Sequence, residues 1–355
     1  MAKKPDDGGQ FDLFIPYISD LPLRDQRETM ERPFFSLSKR KRLKPIKYVS
    51  SDGSVYVNVF ATPEFGMATI WDADILIWAA STLNSMRASG INDLPRKLAF
   101  QPYDVLKTIQ RNTGGHQYEQ LRDALARLQS TTIRTNIRPK GRSRERQFSW
   151  IEGWTDDVDT ETKRSRGMTL TLSDWLYEGI LMDGGLLAID PAYFGITGGR
   201  ERWLYRVARK HAGAAGPEGF AISLPTLFEK SGAEGTYRRF KFEMQAIAKR
   251  NDLPGYDLQL EFGSGEPLLR MTRRSDAGPC RADPPAPQAA TPPQAASPLS
   301  EAVIERIRRD FPGWDIYALQ SEFDGWIADD PSRAPRDYGK AFYGFVRRRH
   351  AQAHA

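Results

Sequence analysis

The sequence contains a single cysteine, Cys280, among 355 residues. One cysteine cannot form an intramolecular disulfide or a cysteine-based zinc site, and such usage is typical of a reducing compartment. Residues 1–11 are polar and lack the apolar segment of a signal peptide. No apolar run approaches the roughly 18 residues that a membrane-spanning helix needs. We therefore expect a soluble protein of the cytoplasm.

The sequence also lacks motifs of several enzyme classes. It has no G-x-x-x-x-G-K-[ST] loop, which disfavours ATP hydrolysis by that route. No two of its four histidines flank a single residue, so the metal-bound histidine pair of origin-nicking enzymes is missing. Asp72 and Asp74 could form a carboxylate pair for a metal, but they begin a predicted helix, where acids interact favourably with the dipole. We expect no enzymatic activity, no cofactor and no bound metal.

Basic residues exceed acidic ones, 51 to 45, which gives a formal net charge of +6. A basic chain favours a polyanionic partner, although net charge alone does not identify one. Residues 39–44 form a basic run, KRKRLK. This run is either a solvated arm or a source of additional phosphate contacts.

Composition divides the chain into five parts. Residues 275–300 contain seven prolines interleaved with alanine and glutamine, which indicates an extended linker. We assign residues 1–50 to an N-terminal arm, residues 51–185 and 186–274 to two folded domains, and residues 301–355 to a small helical C-terminal module. The predicted fold class is α+β, with two tandem winged-helix domains.

The first copy of this plan begins at Asp72, a plausible N-cap of a helix that ends near Gly90. A strand at 97–100, a helix from Pro102, a turn at 111–115 and a second helix to about Leu128 follow. The sequence predicts a closing hairpin from alternating strands at 132–138 and 148–154.

The second copy repeats this order. A helix at 198–211 precedes a strand at 220–222 and a helix with Ser223 as its cap. After a turn at 230–232, the next helix places Phe240, Met244 and Ile247 inward. A hairpin at about 256–271 closes the copy. Two copies of the order helix, strand, helix, turn, helix, hairpin predict tandem winged helices.

In a helix-turn-helix the second helix enters the major groove, so its outward residues are candidate DNA contacts. In the first copy these are His116, Glu119, Gln120, Arg122, Asp123 and Arg127. In the second copy they are Arg238, Arg239, Lys241, Gln245 and Lys249. We expect the more basic second copy to bind DNA more tightly, and the mixed first face to read bases or contact a protein. The alternative is two ordinary solvated helix faces.

The predicted hairpins add further candidates. The loop of the first carries Lys140, Arg142, Arg144 and Arg146 against Glu145, and the second ends with Arg270, Arg273 and Arg274. Clustered cations repel one another unless a polyanion neutralises them. Both hairpins are therefore candidate phosphate or minor-groove contacts, or else solvated loops.

The C-terminal module has aromatic residues at helical spacing. We expect Phe323, Trp326, Phe342 and Phe345 to form an exposed surface for a protein partner. The alternative is a small self-contained helical domain with a basic tail.

Five segments of the sequence resemble the plasmid replication initiator protein A family: FDLFIP (11–16), RPFFSL (32–37), WDADILIW (71–78), YEQLRDALARL (118–128) and LSDWL (172–176). The resemblance covers about residues 11–274. It implies binding to a bacterial plasmid origin, often at repeated sites, with origin opening and recruitment of the host initiator and replicative helicase. Relatives of this architecture commonly dimerise through the first winged helix and repress their own gene. The alternative function is a winged-helix repressor without initiator activity, which would have little need of the linker and terminal module.

Overall fold

The computed structural model describes residues 15, 17–18, 20–138, 145–162, 165–263, 265–275, 301–311, 319–320, 323, 327, 335 and 338–353. The chain forms two compact units, Met1–Asp283 and Pro284–Ala355. Helices and strands are mixed in the first unit. In the part of the chain that is described, every helix is too short or too polar to cross a lipid bilayer.

The first unit begins with three short strands, β1 (Arg24–Gln26), β2 (Ile46–Val49) and β3 (Tyr56–Phe60). The side chains of Met30, Phe34 and Phe35 between β1 and β2 are fully or almost fully buried. Phe35 stacks on Trp150 with ring centroids 4.6 Å apart. Much of the segment predicted to be an N-terminal arm thus packs into the core, from Ile15 to Tyr48, although Lys39, Arg40 and Lys41 are exposed.

The next helices and strand lie where the periodicity predicts them. They are α1 (Ala73–Ala88) with Asp72 at its N-cap, β4 (Lys97–Phe100), α2 (Pro102–Thr108) and α3 (Gly115–Ser130). The apolar stripe of α3, Leu121, Leu125 and Leu128, is completely buried. In the turn before α3, the left-handed conformation falls on Gln110, with φ 56°.

The predicted hairpin of the first copy forms only in part, since Thr132–Thr135 pairs with Arg146–Ser149, and it is not the hairpin that joins β4. The chain forms β5 (Thr132–Thr135), β6 (Arg146–Ser149), β7 (Ile151–Val158) and β8 (Ser165–Leu172). β5 and β6 join β2 and β3 in a sheet of order β2-β3-β5-β6, whereas β7 and β8 join β4 in the order β4-β8-β7. The predicted strand 148–154 breaks at Trp150, whose backbone bonds to Leu128 and Ser173 and whose ring is fully buried.

The second copy follows α4 (Asp174–Leu181) and β9 (Leu186–Ala188), which pairs with β1. It consists of α5 (Gly199–His211), β10 (Phe220–Ser223), α6 (Leu224–Ser231), α7 (Tyr237–Arg250), β11 (Tyr256–Glu261) and β12 (Leu268–Arg273). Its antiparallel sheet has the order β10-β12-β11. The order of elements and of strands thus repeats that of α1, β4, α2, α3, β7 and β8.

Gly232 ends α6 with φ +58°, a conformation that glycine adopts without the steric cost of a side chain. A Cβ at this position would lie 2.6 Å from the Cβ of Pro33. The turn between α6 and α7 therefore needs glycine both for its backbone conformation and for its close approach to the N-terminal segment.

The second unit contains α8 (Glu301–Asp310) and α9 (Tyr338–Ala353). Phe323 and Phe342 are 2% and 0% exposed and pack with Ile307 and Val346 in a small core. Phe345 is half-buried and lies 5.1 Å from Phe323 between ring centroids. These rings do not form the exposed aromatic surface that we expected, because the module uses them to build its own core. Trp326 lies outside the described residues.

Candidate nucleic-acid interface

α7 presents one face to the core and the opposite face to solvent. Thr236 caps its N-terminus by accepting a hydrogen bond from the Arg239 backbone. Phe240, Met244 and Ile247 are buried, as the sequence predicts. Residues four, three and four positions apart lie on one helix face, and on the solvent side they form what we call the α7 stripe: Arg238, Phe242, Gln245 and Lys249.

The polar members of the α7 stripe are available to a ligand. Arg238 and Lys249 are exposed and Gln245 is half-buried. Within the described residues, no hydrogen bond or ion pair engages these three side chains. Phe242 is 71% exposed and is not among the contacts predicted from the sequence. The sequence does contain a sign of this position, because Phe242 is an apolar residue that lies outside the buried stripe of the helix.

Two other predicted contacts of α7 are held by acids. Arg239 Nε donates to Glu243 Oε1 at 3.1 Å, and Lys241 Nζ donates to Glu266 Oε2 at 2.9 Å. Glu266 also accepts a hydrogen bond from the Tyr237 hydroxyl at 2.6 Å. Desolvation and this bond raise the pKa of Tyr237 to about 12. Since Glu266 lies between β11 and β12, these bonds fasten the second hairpin to the first turns of α7.

The cations of the second hairpin are likewise paired within the chain. Arg270 binds Glu261 across the hairpin and donates to the Glu218 carbonyl at 2.6 Å. Arg274 Nε donates to Asp257 Oδ1 at 2.8 Å. Arg273 is half-buried and also interacts with the rest of the chain. A role in DNA contact stays a prediction for all three.

α3 differs from α7 in charge. His116 and Glu119 are exposed and 3.5 Å apart, and His116 also contacts Gln120 at 2.9 Å. Arg122 Nε donates to Asp156 of β7 at 2.7 Å. Arg127 binds both oxygens of Asp72 at 2.8 Å, and these hydrogen bonds raise its pKa. Arg127 is not a free outward cation as predicted, because the carboxylate of Asp72 is 2% exposed and needs a paired cation.

Cations reach α3 from the N-terminal segment instead. Lys39, Arg40 and Lys41 line a groove of about 590 Å³ together with Gln117 and Gln120 of α3. The ammonium of Lys39 lies 5.1 Å from the centre of the Trp71 ring, and Lys41 donates to the Glu64 carbonyl at 2.7 Å. The basic run of the sequence thus lies beside the second helix of the first copy.

Arg42, in the same run, has a different environment. Its side chain is 6% exposed and its Nη1 donates to the Gly232 carbonyl at 2.7 Å. It also lies 3.8 Å from Glu234. Arg42 therefore stabilises the turn between α6 and α7.

Of the four cations predicted in the loop of the first hairpin, Arg146 is the one that lies among the described residues. Lys140, Arg142 and Arg144 lie outside the described residues, so their role stays a prediction. Arg146 is 16% exposed and binds Glu178 at 2.8 Å. The hairpin that joins β4 is β7–β8. The sequence at its end contains four acids and three cations: Asp156, Asp157, Asp159, Glu161, Lys163, Arg164 and Arg166.

Buried ion pairs connect the two copies. Asp74 of α1 binds Arg202 of α5 at 2.7 Å and Arg111 at 3.1 Å. Asp25 binds Arg206 of α5 at 2.6 Å. Because these groups are almost fully buried, each carboxylate needs its cation. The two pairs to α5 join residues 128 and 181 positions apart, and no pattern in the sequence predicts them.

Glu31 forms a third connection. Its oxygens bind Lys210 at 2.7 Å, Lys230 at 2.6 Å and His211 at 2.9 Å. Burial alone would raise the pKa of Glu31, but the bond from His211 and the two ammonium groups lower it well below its usual range. The N-terminal segment is thus tied to α5 and α6, and Asp74 ties α1 to α5.

The family model described as Replication initiator protein A matches residues 24–258. A protein of Wigglesworthia glossinidia brevipalpis described as a putative replication protein is 33% identical over 239 residues, which is 66% of this chain and 84% of that relative. A crystal structure of domains 2 and 3 of RctB gives a TM-score of 0.48 at 15% identity, over 68% of this chain and 95% of that one. A second crystal structure of the same two domains gives 0.43 at 14% identity, over 67% and 93%.

Proposed function

Because the chain belongs to the Replication initiator protein A family, we propose that it starts replication of a bacterial plasmid by binding double-stranded origin DNA. It acts without enzymatic activity, in the cytoplasm, on repeated sites in the plasmid. After it has bound the origin, the protein opens the adjacent DNA and recruits the host initiator and the replicative helicase. The observation that carries this proposal is the α7 stripe, whose Arg238, Gln245 and Lys249 have no partner within the described residues.

The element order supports a pair of winged helices. In each copy, the second helix of the helix-turn-helix is backed by a three-stranded antiparallel sheet in which the last strand lies in the middle. A helix in this position enters the major groove. α7 then reads base edges, while α3 reads a second stretch and Lys39, Arg40 and Lys41 contact the adjoining phosphates.

The second candidate is a repressor that only occupies an operator. The family membership favours an initiator, and so does the C-terminal unit. This unit has its own core and an exposed basic surface at Arg347, Arg348 and Arg349. In this proposal the unit contacts host replication proteins, and homodimers formed through the first winged helix act on the protein's own gene.

Two experiments with the full-length protein test the proposal. The first selects duplexes from a random-sequence pool and footprints the enriched site, which we expect to be protected over about two helical turns. The second places repeats of that site on a plasmid that has no initiator gene and supplies the protein in trans. Maintenance of the plasmid supports an initiator, and specific binding without maintenance supports the repressor. Failure to enrich any sequence contradicts both.

A further inference from the structure

Phe242 is the one apolar member of the α7 stripe, and its side chain is 71% exposed. Single exposed apolar residues are common on protein surfaces, so exposure alone does not identify a ligand. Its neighbours on the stripe make the position informative. Arg238 lies four residues before Phe242, Gln245 three residues after it and Lys249 seven residues after it, so all four face the same way.

We propose that Phe242 recognises thymine by packing against its C5-methyl group in the major groove. This inference rests on the proposed function, because it needs α7 in the groove. The thymine methyl is the apolar group that the major-groove edge of an A·T pair displays, and phenylalanine is one of the side chains that contact it. Phe242 is therefore a specificity-determining residue.

The polar side chains beside Phe242 on the α7 stripe are also suited to reading base edges. Arginine forms a bidentate contact with guanine and glutamine forms one with adenine. With Arg238 and Gln245 on either side of Phe242, the stripe fits a site in which thymine lies near a guanine and an adenine. Lys249, at the far end, fits a phosphate. The α7 stripe thus carries side chains suited to guanine, adenine, the thymine methyl group and phosphate.

Charge argues against a second copy of this chain as the partner. In a two-fold symmetric contact each surface meets itself. If two α7 helices paired antiparallel through Phe242, Arg238 of each copy would lie near Lys249 of the other. These like charges repel, whereas the phosphates of DNA neutralise them.

Uracil provides a direct probe, because it differs from thymine only in lacking the C5-methyl group and pairs with adenine in the same way. The full-length protein is first used to select duplexes from a random-sequence pool. Each thymine of the enriched site is then replaced by uracil, one at a time. We expect the wild-type protein to lose about four-fold in affinity at one thymine of the part covered by α7, as for one buried methyl group.

The variant Phe242→Ala should bind the thymine and uracil duplexes equally, and Phe242→Leu should restore part of the difference. The matched control is Phe262→Ala. Phe262 is 70% exposed and lies between β11 and β12. A hairpin contact to the minor groove or to phosphates meets no thymine methyl. Phe262→Ala should therefore keep the wild-type ratio between thymine and uracil, whatever its effect on affinity.

Several results would overturn the inference: no thymine under α7, no loss on uracil substitution, or an unchanged ratio in Phe242→Ala. Sedimentation velocity without DNA adds another. If Phe242→Ala converts a dimer to a monomer, the stripe is a self-association surface. If the wild-type protein enriches no sequence at all, the proposed function fails and this inference fails with it. Enrichment without methyl recognition rejects the inference alone.

Discussion

α3 and α7 occupy the same place in two repeats of one element order, but their charges differ. α7 carries five cations and one acid, and its stripe leaves Arg238 and Lys249 exposed. α3 carries two cations and two acids, and both cations bind carboxylates. The hairpin beside α3 carries both acids and cations at its end, whereas the one beside α7 carries Arg270 and Arg273 in its last strand and Arg274 directly after it. A repeated fold therefore does not imply a repeated binding surface.

The first repeat uses its arginines internally. Arg127 neutralises Asp72 and Arg111 shares Asp74 with Arg202, so these side chains stabilise the start of α1. The groove beside α3 receives its cations from Lys39, Arg40 and Lys41, which lie outside the repeat. We therefore expect α7 to supply most of the specificity and the surface of the first repeat to supply affinity for the backbone. Three experiments test this contrast between the two repeats.

The largest effect should come from Asp74→Ala, which removes the support that the two repeats share. It leaves Arg202, 4% exposed, without its carboxylate. Removal of one partner of a buried pair costs about 3–5 kcal/mol of unfolding free energy. Urea unfolding followed by circular dichroism measures this loss. The matched control is Asp183→Ala, since Asp183 pairs with Arg87 at the surface and should contribute less than about 1 kcal/mol. Equal losses in the two variants would contradict the role of the buried pair.

A smaller effect is expected from Arg238→Ala, which tests the reading by α7. An arginine bidentate to guanine contributes about 1–3 kcal/mol of discrimination. The ratio of affinities for the selected duplex and for random DNA should fall about ten-fold or more, as measured by gel shift. Arg250→Ala is the control on the same helix, because Arg250 binds Glu201 of α5 at 2.8 Å and lies off the stripe. A uniform loss on both DNAs, with the ratio intact, would assign Arg238 to phosphate contact.

The smallest effect is expected from the double variant Lys39→Ala/Lys41→Ala, which tests the contribution of the first repeat. Loss of two phosphate contacts should reduce the slope of log affinity against log salt by about two units on any sequence. The control Lys44→Ala/Lys47→Ala removes two exposed cations of the same segment that do not line the groove. Titration at several salt concentrations separates the two variants, and identical slopes would place the groove away from DNA.

Helical periodicity predicted the helices well because the information is local. Phe240, Met244 and Ile247 recur on one face, and they fix which residues of α7 point outward. The pairing of strands is not local. The alternating residues around Trp150 are compatible with one strand, but the segment divides between two sheets at Trp150, whose ring stacks on the distant Phe35.

The candidate site shows the same limit. A helical projection places Arg127 outward, yet it binds Asp72, which lies 55 residues earlier in the chain. The strand Ser165–Leu172 was missed although Met168, Leu170 and Leu172 alternate with more polar residues. Phe242 was omitted because charge guided the choice of candidates, and its apolar side chain did not fit that criterion.

The bond between Asp74 and Arg202 also bears on the order in which the protein is made. The two residues are 128 positions apart. At about 5–20 residues per second, the ribosome takes roughly 6–26 s to add the second after the first. For that time α1 exists with a carboxylate whose main cation has not been synthesised. The interior of the first repeat therefore lacks this cation until α5 has been synthesised and has left the exit tunnel.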